Sequence, residues 1–347
     1  MGSRHLSRRS ILCFIVALLF IASPFVLADD PPTQPRGWTK GKGWGWVWGK
    51  DDEVGSLNAM TDASRAEALK LGKTGKVFDL GQTYSRRSFK WPGHSPGEIM
   101  TFRSPDGIDR MKDADAPASN PARVFWHSAA LFVSDNIGTQ IDSLAHITAG
   151  PDFHWYNGFK ESEWGGDWGP RKCDASTIPP IVARGILIDV AAFKKLDALP
   201  AHSVITAQDL KDTLAWEGVQ IRPGDVVLVR TGAGRFWGDE GADHAKIAEA
   251  DSAGPDLDAT RWLVEEMGAM MVGSDTSGYE VTPAPGKAEK FIPVHRYLLV
   301  DQGVHLAEFH NLEGLSVSKT YEFCYMATTN KIRGTAAGFA LRPIAIR

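Results

Sequence analysis

From about residue 184 onward the chain alternates apolar runs of strand length with helical patterns, and this alternation limits the available folds more than any other feature. Gly185 to Val190, Val226 to Arg230 and Met270 to Ser274 are almost continuously apolar. Such runs are expected where a strand is covered on both faces. Between them the sequence predicts helices from about Thr206 and from about Asp258. The first has strong punctuation, because Thr206 and Asp209 have the spacing of a capping box and Gly218 closes the far end. "IRPGDVVLVRTG" places a Pro-Gly-Asp turn directly ahead of the second run, and a last strand is expected over Tyr297 to Glu308. Strands separated by helices predict an α/β domain.

The N-terminus obeys different rules. Arg4, Arg8 and Arg9 precede an apolar run from Ile11 to Phe20, followed by Pro24 and Val26-Leu27-Ala28. That order is the n-region, h-region and small-residue cleavage site of an export signal. Residues 1–28 are therefore read as a signal peptide, 29–43 as a flexible leader and 44–347 as the folded domain. The run is short and broken at Ser23-Pro24, so no stable membrane span is expected after cleavage. Ser7-Arg8-Arg9-Ser10 also resembles a twin-arginine signal, and the expected location is the periplasm. Of three cysteines, Cys13 lies inside the signal, which leaves Cys173 and Cys324 as buried apolar fillers. The formal net charge of −4 is spread without long runs and gives no footprint for nucleic acid or an anionic membrane surface. A small molecule is the expected partner.

Within the domain, Trp44, Trp46 and Trp48 alternate and suggest an arm laid on the core or over a pocket. Ala63 to Leu71 reads as a helix capped by Asp62, Val77 to Tyr84 as a strand, and residues 92 to 121 as a long loop. The chemistry concentrates in "DNIGTQIDSLAH", Asp135 to His146. In extended backbone Asn136, Gly138, Gln140 and Asp142 share a face, and His146 follows Asp142 by one helical turn. The alternative is that these polar groups cap a turn while His146 makes one core hydrogen bond.

That stretch resembles the HxGTHxDxxxH signature of the cyclase-like metal-dependent hydrolases, the family that includes bacterial kynurenine formamidase and isatin hydrolase. "WGKDDEVGSLNAMT", "RPGDVVLVRTG", "VGSDT", "IPVHRYLL" and "VHLAEFHNLEGL" resemble further family segments, so the likeness runs over about residues 46 to 318. In the family pattern the first two histidines and the aspartate bind a divalent metal, and the last histidine moves a proton. Asn136 and Gln140 stand at the two histidine positions, while Asp142 and His146 are retained. The resemblance thus implies Asn136, Gln140, Asp142, His295 and Glu308 as metal ligands, and His146 with Glu308 as catalytic residues. Uncharged amide oxygens hold Zn²⁺ less well than imidazole nitrogens do, which shifts the expected metal from Zn towards Mn²⁺ or Mg²⁺. His310, at the parity of Glu308, is a candidate replacement ligand, ahead of His305.

The family further implies a compact single α/β domain of the swivelling β/β/α kind, with a mixed β-sheet and flanking helices, assembled as a homodimer or larger homo-oligomer. It implies a hydrolase, arylformamidase-like, opening an amide, lactam or related acyl bond. Trp48, Phe153 and Trp155 are the candidate substrate-binding aromatics, and Asp275 and Glu280 the candidates for supporting the ligands. Two other functions stay open on the same scaffold: an exported binding protein that has lost its metal, and a metal-dependent lyase or dehydratase.

Overall fold

The computed structural model describes residues 2, 37–90, 92–94, 96–112, 120–238, 244–286, 291–339 and 341–347. The signal sequence, apart from Gly2, and the leader up to residue 36 lie outside the described residues. From Gln34 to Arg347 the chain forms one compact unit. The domain begins earlier than residue 44, because Trp38 is buried and its indole N–H donates to Val264 O at 2.8 Å. An indole is large enough to anchor a short segment by its burial alone, so 37–43 belongs to the body.

Twelve strands are present among the described residues: β1 Val77–Asp79, β2 Gly97–Arg103, β3 Ser128–Val133, β4 Gln140–Ile141, β5 Ile181–Asp189, β6 Val204–Ile205, β7 Val226–Arg230, β8 Gly254–Pro255, β9 Met271–Ser274, β10 His305–Glu308, β11 Glu322–Ala327 and β12 Ile344–Ile346. Eight form one mixed sheet in the order β1-β12-β11-β5-β7-β9-β10-β4. The inner four, β5, β7, β9 and β10, run parallel, and antiparallel strands flank them on both sides. Every residue of β7 is buried, as continuous apolarity predicts for a strand covered on both faces. Each of its four aliphatic side chains contributes about 2 kcal/mol of transfer free energy. The helix Ala207–Glu217 starts and stops where its sequence demands: Thr206 and Asp209 close the capping box, and Gly218 takes a left-handed conformation at φ 72°.

Three further expectations are corrected. Residues 92 to 121 are not one loop, because they contain β2 and the helix Pro105–Met111, which Ser104 caps and Pro105 opens. β2 pairs with β3 in a separate two-stranded sheet, and Met100, Phe102, Leu131 and Phe132 on it are more than half exposed in the single chain. The stretch from Tyr297 to Glu308 is not a continuous strand either. Pro293 starts a helix that continues through a π-helical turn, Arg296–Gln302, and stops at left-handed Gly303, leaving only β10 extended. The first strand is three residues long and ends at Asp79 rather than at Tyr84.

Candidate metal centre

The edge strand β4 lies antiparallel on β10, with Gln140 opposite Glu308 and Ile141 opposite Ala307. Side chains directly opposite one another share a face, and the period of two adds Asp142 to that face. The backbone fixes Asp142 further: its N–H donates to Leu306 O at 2.7 Å and its carbonyl accepts from His305 Nδ1 at 2.9 Å. His295 reaches the same place from the first turn of its helix. Donor atoms of Asp142, His295 and Glu308 all lie within 4.8 Å of one another, and all three residues are buried.

Glu280 determines how His295 is presented. Its carboxylate accepts from the backbone N–H groups of Val294 and His295, at 3.1 and 3.0 Å, and sits 2.5 Å from His295 Nδ1. With Nδ1–H donated to Glu280, Nε2 faces Glu308 Oε1 at 3.4 Å and Asp142 Oδ2 at 3.8 Å. A carboxylate behind a histidine that aims its other nitrogen at a cluster of carboxylates is the arrangement seen behind metal-ligating imidazoles. Burial alone pushes His295 down, but Glu280, Glu308 and Asp142 together raise it to about 10. Burial and the neighbouring Asp142 charge push Glu308 up to about 8, against the opposing pull of His295.

The two amides do something different from what their motif positions imply. Gln140 Nε2 donates to Glu308 Oε2 at 2.7 Å and to Asn136 Oδ1 at 3.0 Å, while Asn136 Nδ2 donates to Asp135 Oδ1 at 3.1 Å. The nitrogen must be the atom facing Glu308, since the reverse orientation would set a carbonyl oxygen against a carboxylate. Asn136 Oδ1 is thus engaged by Gln140 rather than left without a hydrogen-bond partner. Its place in the row is also altered, because Gly138 takes φ +64° and interrupts the extended backbone ahead of β4. Gln140 Oε1 and both Asp142 oxygens are buried with no hydrogen-bond partner among the described residues. A buried carboxylate without hydrogen bonds is costly, and a divalent cation fits this set: two carboxylates, one imidazole nitrogen and one amide oxygen.

His146 stands at the mouth of the cluster, its Nε2 3.9 Å from Asp142 Oδ2 and its ring 6.4 Å from that of His295. A hydrogen-bonded turn from Ser143 O to His146 N brings it there, in place of a helix. His310 does not replace a lost ligand. Phe309 adopts φ 49°, which breaks the alternation after Glu308, and His310 bonds Glu308 O at 3.2 Å and Tyr325 OH at 2.9 Å instead. Burial holds it at about 4. His305 is engaged by the carbonyls of Asp142 and Val54. Asp275 is enclosed by Thr231, Gly232 and Gly234, so of the two supporting candidates only Glu280 contacts a ligand.

Of the three aromatics read as substrate-binding, Trp48 is the one that the structure ties to the far end of the sheet. Trp48 stacks on Trp44, whose indole bonds Ala269 O at the entry end of β9, opposite the Glu308 end of the sheet. Trp155 is a core residue and Phe153 is exposed. A residue that the sequence did not flag is His94, half-buried and held below the usual histidine value by burial first and then by the charge of His146. It lies in the stretch read as a loop, without a motif to mark it.

The family model described as "Putative cyclase" matches residues 78–281. The chain belongs to this cyclase family. A crystal structure described as a novel cyclase matches with a TM-score of 0.75 at 26% identity, covering 88% of this chain and 99% of that one. Isatin hydrolase A from Ralstonia solanacearum matches with a TM-score of 0.57 at 22% identity, covering 82% and 97%. An isatin hydrolase bound to thioisatinate, a product analogue, matches with a TM-score of 0.57 at 20% identity, covering 82% and 98%. No curated protein sequence matches. The cyclase fold of these structures is the mixed-sheet architecture described above, so the expected fold class holds.

Proposed function

We propose that this cyclase-family protein is a metal-dependent hydrolase that opens an amide, lactam or related acyl bond of a small molecule. The observation that carries the reading is the convergence of Asp142, His295 and Glu308, with both oxygens of Asp142 lacking a hydrogen-bond partner among the described residues. The fold shared with isatin hydrolases supports an acyl bond of this kind. A divalent cation bound there would supply Lewis acidity to the acyl carbonyl and lower the pKa of water from about 16 towards 7. The oxygen-rich donor set suits Mn²⁺ ahead of Zn²⁺.

The chain's own residues then divide the work. Asp142, Glu308 and His295 Nε2 would hold the cation, with Gln140 Oε1 as the neutral donor. Gln140 Nε2 holds one Glu308 oxygen, so that the other stays turned towards His295. His146, partly open to solvent at the mouth, accepts the proton from the attacking water and returns it to the departing nitrogen. Asn136 Oδ1 accepts from Gln140 Nε2 and supports that amide from behind.

The test is metal analysis of protein purified without chelators, followed by a panel of aryl formamides and cyclic amides. Stoichiometric Mn or Zn that disappears in Asp142→Ala, together with cation-dependent opening of a panel member, is the expected result. A metal-free and inactive wild type, after incubation with each cation, overturns the reading.

A further inference from the structure

Two strands alone make a marginal sheet in water, and such a ribbon needs a packed face to be stable. β2 and β3 pair only with each other in their sheet, and their register decides which residues share a face. Glu98 lies opposite Phe132 and Met100 opposite Ala130, so these four point to one side. The register shifts between Thr101 and Arg103, where Arg103 lies opposite Ser128 and Phe102 is the extra residue. At a bulge of this kind two successive residues oppose one on the partner strand. The Arg103 guanidinium accordingly lies over the Phe102 ring, 5.1 Å from its centroid. Along β2 the face therefore runs Glu98, Met100, Phe102, Arg103, with Phe132 and Ala130 beside it on β3.

The middle of this face is uncovered in the single chain: Met100, Phe102 and Phe132 are 55%, 67% and 66% exposed. With about 200 Å² to a large side chain, they leave roughly 400 Å² of apolar surface together. Interfaces are a little over half apolar, so a contact built around this middle covers roughly 700 Å² on each partner. That is about the size of one side of a stable dimer. The charged ends select the occupant. A surface that pairs with itself about a two-fold axis makes every contact twice. Two copies of this face laid antiparallel close the apolar middle on itself and bring Glu98 of each to Arg103 of the other, so opposite charges meet at both ends.

We propose that this face of the β2–β3 ribbon docks a second copy of the chain in a two-fold dimer, with Glu98 of each copy set against Arg103 of the other. The proposal is independent of the hydrolase reading. It touches the donor cluster through the backbone: Ser134 N donates to Pro96 O at 2.8 Å, two residues ahead of Asn136, so the ribbon steadied by docking is the one that leads into the motif.

The experiment is sedimentation equilibrium of the purified protein over a range of concentrations, for wild type and five variants. Wild type should dimerise, and Phe102→Ser or Phe132→Ser should each weaken the dimer by about tenfold or more, as loss of a central aromatic anchor does. Glu98→Arg and Arg103→Glu should each weaken it by about tenfold, because symmetry places like charges at both ends. The double variant Glu98→Arg with Arg103→Glu restores opposite charges and should recover most of that loss. The charge variants leave the apolar middle intact, so they report the register even where a serine variant loosens the ribbon. A wild type that stays monomeric overturns the proposal, whether another segment or a different protein then covers the face. A dimer indifferent to both serine variants, or a double charge variant no tighter than either single one, also overturns it.

Discussion

The two sides of the donor cluster are equally buried but organised for opposite purposes. On the C-terminal side Glu280 takes up the Nδ1–H of His295, and Nε2, once it gives up its proton, is the nitrogen pointing at Asp142 and Glu308. On the motif side Asn136 and Gln140 bond to each other, and Gln140 donates outward to Glu308. One side presents an acceptor that a cation can use, and the other mostly consumes its acceptors. Burial sets the cost of leaving a polar group unmet, while the partner on its far side decides which atom is offered.

The largest effect should come from pH. In the cation-free protein His295 is raised to about 10 and Glu308 to about 8, so at pH 7 both carry protons that a cation must displace. A raised value means the proton competes up to that pH and wins increasingly as pH falls. Between pH 6 and 8 the affinity for Mn²⁺ should therefore rise by about tenfold to a hundredfold per unit, with one to two protons released on binding. Calorimetry in buffers of different ionisation enthalpy measures the release; a pH-independent affinity would falsify the assignment of Nε2 and Glu308 as donors.

Next in size, Glu280→Gln keeps the shape behind His295 and removes the charge. Competition against a fluorescent chelator should show affinity weakened about tenfold to a hundredfold, and an unchanged value would mean the two sides do not differ in the way described. Replacing both amides in Asn136→His with Gln140→His should erase the asymmetry from the other side. Zn²⁺ affinity relative to Mn²⁺ should then rise by about tenfold, read by the same competition. The smallest effect belongs to His310→Gln. This change disturbs the contact with Tyr325 and should cost about 1 kcal/mol in denaturant unfolding, with cation affinity unaltered. A fall in affinity would restore His310 to the ligand set.

Much of this was legible in the sequence wherever the determinants are local. The helix Ala207–Glu217 follows from Thr206, Asp209 and Gly218 because caps act within one turn. β7 follows from its uninterrupted apolar run. The shared face of Gln140 and Asp142 follows from strand parity, while Glu308 joins it only through the pairing of β4 with β10, and the family pattern named Glu308 and His295. The failures have non-local or conformational causes. Left-handed Phe309 defeats parity at His310, a conformation that Phe rarely takes and no pattern announces. The hairpin of β2 and β3 pairs segments separated by a helix, so its register depends on a partner that local pattern does not name. The Ser104-Pro105 start of that helix was a readable signal, since proline favours the first helical position.

The pairing of β4 with β10 also has a consequence for assembly. Gln140 and Glu308 are 168 residues apart in the chain, so the centre does not exist in any partial structure that lacks this outermost pairing. Cation binding should act as a late lock, adding its stability when the last edge of the sheet closes. Stripping the cation should loosen that edge first in hydrogen exchange, while the strands around β7 remain slow. The outer margin of the sheet thereby becomes a record of whether folding has run to completion.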